Sequence, residues 1–203
     1  VIADLTRRPG TPAELAADAV RGVAVLCTLA MVFWWGAVDV AVFVLALGGL
    51  TLSRYARAHP VFDLVYGCAL IFACWSSVLN LYTLIPWWDL LVHCLCTGPV
   101  AAMAYVLAAH VGLLPGSRSR VAVVLQVLQV LLLGIALSVL WEFAEWAAHS
   151  WVDEDIYVTY SDTMGDLAVG ALGSLAAGVL LSALSVRRAR TRLSSVRASR
   201  SRR

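Results

Sequence analysis

Apolar residues run along this chain in blocks too long for the helices or strands of a water-soluble core. A helix crossing a hydrocarbon layer of about 30 Å needs roughly 17–25 such residues. The block from Val20 to Leu52 exceeds that, and Gly36-Ala37-Val38-Asp39 interrupts it near its middle. The pattern therefore predicts two short helices, over about 20–36 and 38–56. A third is expected over about 62–84, closed by Pro86, and a fourth over about 88–110, opened by Trp87-Trp88-Asp89. Leu114-Pro115-Gly116-Ser117 has turn chemistry. A fifth helix over about 120–149 is longer than a crossing requires, and a sixth follows over about 162–186. The expected fold is an all-α polytopic membrane bundle of six transmembrane helices. Residues 1–19, with Pro9, Gly10 and Pro12, read as a short cytoplasmic leader, and 187–203 as a basic, disordered cytoplasmic tail. A cleavable signal peptide fits the leader poorly, because its charged region is long and partly acidic. A five-helix alternative merges the first two apolar runs.

Composition supports the membrane reading. Of 203 residues, 61% are hydrophobic and 14% charged, with a mean hydropathy of +0.83. Soluble domains carry roughly a quarter charged residues, so this chain cannot build a water-exposed shell. That argues against a cytosolic enzyme, a nucleic-acid-binding domain and a disordered protein. Cys27, Cys68, Cys74, Cys94 and Cys96 all lie inside apolar runs without a C-x-x-C pair, and read as small buried hydrophobes.

Charge placement decides between five helices and six. All 15 basic residues are arginines. With six crossings, Arg7, Arg8, Arg21, Arg54, Arg57, Arg118, Arg120 and the eight arginines beyond residue 186 all fall on one side. Basic residues mark the cytoplasmic side, so both termini are expected there. The tail is expected to determine topology and to attract anionic lipid weakly.

The carboxylates show the opposite bias. Asp39, Asp89, Glu142, Glu145, Asp153, Glu154, Asp155, Asp162 and Asp166 fall at or near the other face. Asp89 and His93 are spaced i, i+4; Glu142, Glu145 and His149 i, i+3, i+7; Asp162 and Asp166 i, i+4. Each set shares one face of its helix. A charge at the centre of a membrane helix costs roughly 2.5–3.5 kcal/mol on the insertion scale, so seven such groups at one depth point to a shared cluster. Asp89 and Asp162 also suit a helix N-terminus taken singly, His149 suits an interfacial position, and Asp153-Glu154-Asp155 reads as a solvated loop. As a cluster, five carboxylates and two imidazoles call for a cation, and His93, Glu142, Glu145, His149 and Asp166 are candidate ligands of a divalent metal ion. Gly170, Gly173 and Ala177 extend the face of Asp166 as a small-residue stripe, which would draw that helix toward the fifth. Trp87, Trp88, Trp141, Trp146, Trp151, Tyr157 and Tyr160 gather at the same level as an interfacial belt; with Tyr82 they would also suit the wall of a lipid-headgroup site.

The motifs Tyr82-Thr83-Leu84-Ile85-Pro86-Trp87-Trp88-Asp89-x-x-x-His93, Leu140-Trp141-Glu142-Phe143-x-Glu145-Trp146 and Asp162-Thr163-Met164-x-Asp166 resemble those of the YjdF-like bacterial inner-membrane proteins, a domain of unknown function distantly similar to the VanZ-like membrane proteins. The resemblance covers about residues 60–182. It departs at His149, where relatives carry an acid, and at Gly98, one residue later than their glycine. It implies a bacterial inner-membrane location and leaves the activity open.

Three functions are compatible with the pattern. In an enzyme, an ion held by the candidate ligands would activate water or polarise a phosphoryl or acyl group, Asp89 or Asp162 would act as base, and an envelope lipid would be the substrate. No Ser-His-Asp order, Walker loop or H-E-x-x-H narrows the reaction. A small-ion or solute transporter would need polar groups through the cytoplasmic half, where only Gln126, Gln129 and Asp63 stand. A non-catalytic protein would use the acids to lock helices together. No nucleic-acid partner is expected; membrane lipid is. Topology is open to direct measurement. Reporter fusions after Arg57, Arg120 and Arg190 should read cytoplasmic and one near Asp155 external; an external reading at Arg120 would overturn the six-helix arrangement.

Overall fold

The computed structural model describes residues 2–114, 120–156 and 158–200, with side chains as far as Leu184 and without that of Arg120. The described residues form α1 (Ile2–Leu5), α2 (Pro12–Trp34), α3 (Ala37–Tyr55), α4 (Pro60–Val78), α5 (Leu81–Leu84), α6 (Trp88–His110), α7 (Arg120–Trp151) and α8 (Tyr160–Arg200). Six of these, α2, α3, α4, α6, α7 and the Tyr160–Leu184 part of α8, are long and apolar enough to cross a membrane. The all-α bundle expected from hydropathy is the fold observed.

Its boundaries differ where capping overrides hydropathy. α2 starts at Pro12, inside the expected leader. Thr11 accepts a hydrogen bond from the Glu14 amide at 3.2 Å, Pro12 occupies the first turn, and Glu14 Oε2 accepts from the Gly10 amide at 2.6 Å. Thr-Pro-Ala-Glu is thus a helix start of capping-box type. The third span ends at Val78 rather than near 84, because Asn80 turns the chain in the left-handed region (φ 55°) before the single turn of α5. The basic stretch expected as a disordered tail continues α8 as helix to Arg200. Arg118 and Tyr157 lie outside the described residues.

The interior is inverted relative to a soluble protein. Leu26, Phe33, Leu45, Leu132 and Phe143 are exposed, whereas Ser53, Arg54, Asp63, Ser76, Ser138, Glu142, Asp166 and Ser174 are buried. That distribution suits a lipid-facing surface around a polar interior. The helices form two groups, α2–α3–α4 and α6–α7–α8, joined chiefly through α4 and α6. Ala24, Leu50, Tyr66 and Met103 pack between them. Trp88 Nε1 donates to Ser76 Oγ at 3.0 Å, so the end of α4 lies beside the start of α6. Tyr55 and His110 meet edge to face at 5.0 Å at the opposite end.

Within the second group the helices touch backbone to backbone. A Cβ at Gly173 would collide with the Cys94 carbonyl, and one at Gly98 with that of Gly173. On the α7 side, a Cβ at Gly170 would lie 2.6 Å from Ser138 Oγ, and one at Gly134 would collide with Ser174. The small-residue stripe of α8 therefore meets α7 as expected and approaches α6 equally closely. Gly173→Ala should destabilise the bundle by about 1–3 kcal/mol, as overpacking does. Gly48→Ala, with nothing within 4 Å of the added carbon, should be neutral or mildly stabilising. Thermal unfolding in detergent checks the pair.

Candidate functional site

The start of α6, the end of α7 and the start of α8 converge, and their acids converge with them. Asp89 lies in the first turn of α6 with His93 one turn further. Glu142 and Glu145 sit in the penultimate turns of α7, and Asp162 and Asp166 begin α8. His93 is the centre. Its Nε2 is 3.5 Å from Asp89 Oδ1, and its Nδ1 is 3.9 Å from Glu142 Oε1. Asp89, His93 and Asp166 offer ligand atoms within 4.8 Å of one another, and so do His93, Glu142 and Glu145. The imidazole thus stands between two three-residue groups drawn from all three helices.

Burial sharpens the arrangement. His93 and Glu142 are each 7% exposed and Asp166 1%. Both carboxylate oxygens of Asp166 and Oε1 of Glu142 are buried without a hydrogen-bond partner. Two unit charges 4–5 Å apart repel by on the order of 3–4 kcal/mol at an effective dielectric of about 20. A buried unpaired carboxylate costs several kcal/mol more. A divalent cation or protons would relieve both terms, and the mixed oxygen–nitrogen donor set suits a divalent ion.

The other expected members stand differently. Asp162 borders the cluster as an electrostatic neighbour of Asp89 and Glu142, and its amide donates to Thr159 Oγ1 at 3.3 Å, so it also serves the helix start. His149 belongs to neither group. Its Nδ1 lies 2.7 Å from the Ile156 carbonyl, because seven residues beyond Glu142 is about 10 Å along the helix, at the turn into α8. Asp39 is likewise apart, 3.5 Å from Ser77 Oγ. Glu154 is in the exposed loop.

Two residues near the site carried weaker sequence signals. Ser138, one turn below Glu142, is buried with its hydroxyl unpartnered and faces Gly170. A serine four residues before the first acid, in an otherwise apolar stretch, was the available clue. Tyr82, which the sequence suggested only as part of a wall, donates to the Ala73 carbonyl at 3.3 Å. Burial first, and then the nearby Asp89 carboxylate, hold its phenol well above the ordinary range, so it stays a neutral donor. Trp87, Trp146, Trp151 and Tyr160 are exposed around this end, as an interfacial belt requires.

A family model described as predicted membrane proteins, DUF2238, matches residues 19–187. The chain belongs to that family. The matched region of this DUF2238 protein contains every member of the cluster and reaches from within α2 to just past the apolar part of α8. The resemblance to YjdF-like proteins is consistent with it. No curated protein and no solved structure matches the chain.

The orphaned Asp166 carboxylate gives a direct test. Asp166→Asn removes the charge and keeps the shape, so in the presence of chelator it should melt at or above wild type. A drop of several degrees would mean that Asp166 holds a structural partner.

Proposed function

We propose that this protein is a divalent-metal-dependent enzyme of the bacterial inner membrane, a hydrolase or transferase acting on an envelope lipid at the extracytoplasmic face. The observation that carries the reading is Asp166, buried with both oxygens unpartnered beside His93 and Asp89. In a non-catalytic lock the acids would be matched by donors; here carboxylates outnumber them. One or two ions held by His93, Glu142, Glu145, Asp166 and Asp89 would polarise a phosphoryl or acyl oxygen and activate water. Asp162, at the rim, would then accept a proton. The arginine bias supports an inner-membrane orientation with both termini cytoplasmic.

Transport has less support. Below the cluster, Gly98 and Gly173 bring α6 and α8 into backbone contact, and Ala101, Ala102 and Val130 fill the space next to them. Among the described residues, the buried polar side chains below the cluster in this helix group are Ser138, Ser174 and Ser182, none of them ionisable, so no chain of titratable groups leads to the far end.

Protein purified without chelator should carry roughly one or two divalent ions per chain by elemental analysis, and the double variant His93→Ala, Glu142→Ala should lose them. Glu145→Gln should lose the stabilisation by added divalent ions while remaining folded, whereas Glu154→Gln should keep it. Metal-free wild type whose melting temperature ignores both divalents and chelator would sink the proposal.

A further inference from the structure

A second polar centre lies at the opposite end of the molecule, where α2 begins, α3 ends and α4 begins, and it is independent of the carboxylate cluster. Arg21 is held on all sides. Its Nη2 is 2.6 Å from Asp63 Oδ1 and 2.8 Å from Ser53 Oγ, its Nη1 3.0 Å from Asp18 Oδ1, and its Nε donates to the Leu50 carbonyl at 3.0 Å. Arg54, 5% exposed, places Nη2 3.0 Å from Asp18 Oδ2 and also donates to the Arg7 carbonyl. Arg7 pairs with Glu14 at 3.3 Å.

Those contacts use up the acceptors without using up the donors. Arg54 Nη1 and Arg7 Nε are both buried and unpartnered. A guanidinium carries five N–H donors in a rigid fork suited to two oxygens of one oxyanion. Both residues line a groove of about 450 Å³, together with Asp18 and Arg21. Three arginines meet three carboxylates, Asp18, Glu14 and Asp63, so the charges balance and what is left over at this end is the pair of unpaired N–H donors. The groove continues to Val25, one turn deeper on α2, and Leu47, two turns deeper on α3. An end with two unpartnered guanidinium donors, opening toward apolar Val25 and Leu47 on membrane helices, matches a molecule with an oxyanion head and a hydrocarbon tail.

We infer that this groove seats one phospholipid, its headgroup phosphate accepting from Arg54 Nη1 and Arg7 Nε and an acyl chain lying along Val25 and Leu47. The lipid would complete the N-terminal strap, in which Arg57 pairs with Asp4 of α1 and Arg54 holds the Arg7 carbonyl. The phosphate and the chain are both needed, which separates the site from a general anion site and from lipid-facing surface.

The test uses the full chain in mild detergent, with native mass spectrometry and thermal unfolding. One phospholipid should survive purification, and delipidated protein should be stabilised by added phosphatidylglycerol. Diacylglycerol, lacking the phosphate, and inorganic phosphate, lacking the chain, should each stabilise far less. Arg54 is bound into the fold, so the variants are Arg7→Gln, which removes an unpaired donor while keeping the backbone carbonyl, and Val25→Trp, which fills the apolar channel from an exposed position. Each should weaken phosphatidylglycerol binding about tenfold, the scale of one charge-assisted hydrogen bond, with the lipid-free melting temperature little changed. Equal stabilisation by inorganic phosphate would make this a free-anion site, and equal stabilisation by diacylglycerol would make it ordinary lipid surface. Either result overturns the inference, as would binding unaltered in both variants.

Discussion

The crossing of α6 and α8 is the contact on which the rest of the second helix group depends. Lipid tails are as apolar as leucine, so helices in a membrane gain little from hiding apolar surface and are held by close packing and polar contacts. Gly98 and Gly173 allow that packing to reach the backbone, with the Cys94 and Gly173 carbonyls occupying the space where side chains would begin. His93 lies just before this crossing on α6, and Asp166 two turns before it on α8. The glycine contact therefore sets the level at which these two side chains meet. On the other side of α8, Gly170 against Ser138 and Gly134 against Ser174 set the register with α7, which carries Glu142 to the same place.

The two polar centres differ in how their charges are balanced. Around Arg21, each carboxylate faces a guanidinium, and Ser53 bridges by donating to Asp63 at 2.7 Å. That network ties α2, α3 and α4 together, as paired charges inside a bundle do. At the other end, carboxylates face an imidazole and one another. The first centre is a nearly closed ion-pair network with two spare donors. The second has an excess of acceptors, and only a cation or protons can match it. A scaffold would not need that imbalance, which is why a binding role is proposed for the carboxylate end.

Much of this was legible in the chain itself. The six spans follow from the length of each apolar run, and the fourth helix begins and ends where Trp88 and His110 suggested. Asp89 with His93, Glu142 with Glu145, and Asp162 with Asp166 were readable as shared faces because the helical period fixes which neighbours align. The start of α2 was less visible in hydropathy, although Thr11, Pro12 and Glu14 carry a capping signal. Capping concerns four residues, and a hydropathy window averages over many more.

Tertiary structure decided which faces meet. Nothing local distinguishes His149 from Glu145 as a ligand, yet the turn into α8 draws one to the Ile156 carbonyl while the other stays with His93. Ser138 becomes a neighbour of the site only because Gly170 lies opposite it, and the spare donors of Arg7 and Arg54 appear only once their acceptors have been placed. Length, hydropathy and periodicity are properties of a single helix and can be read along it. The partner of a face, and the polar atoms left over when faces have met, depend on the complementary shapes of two or three helices distant in sequence.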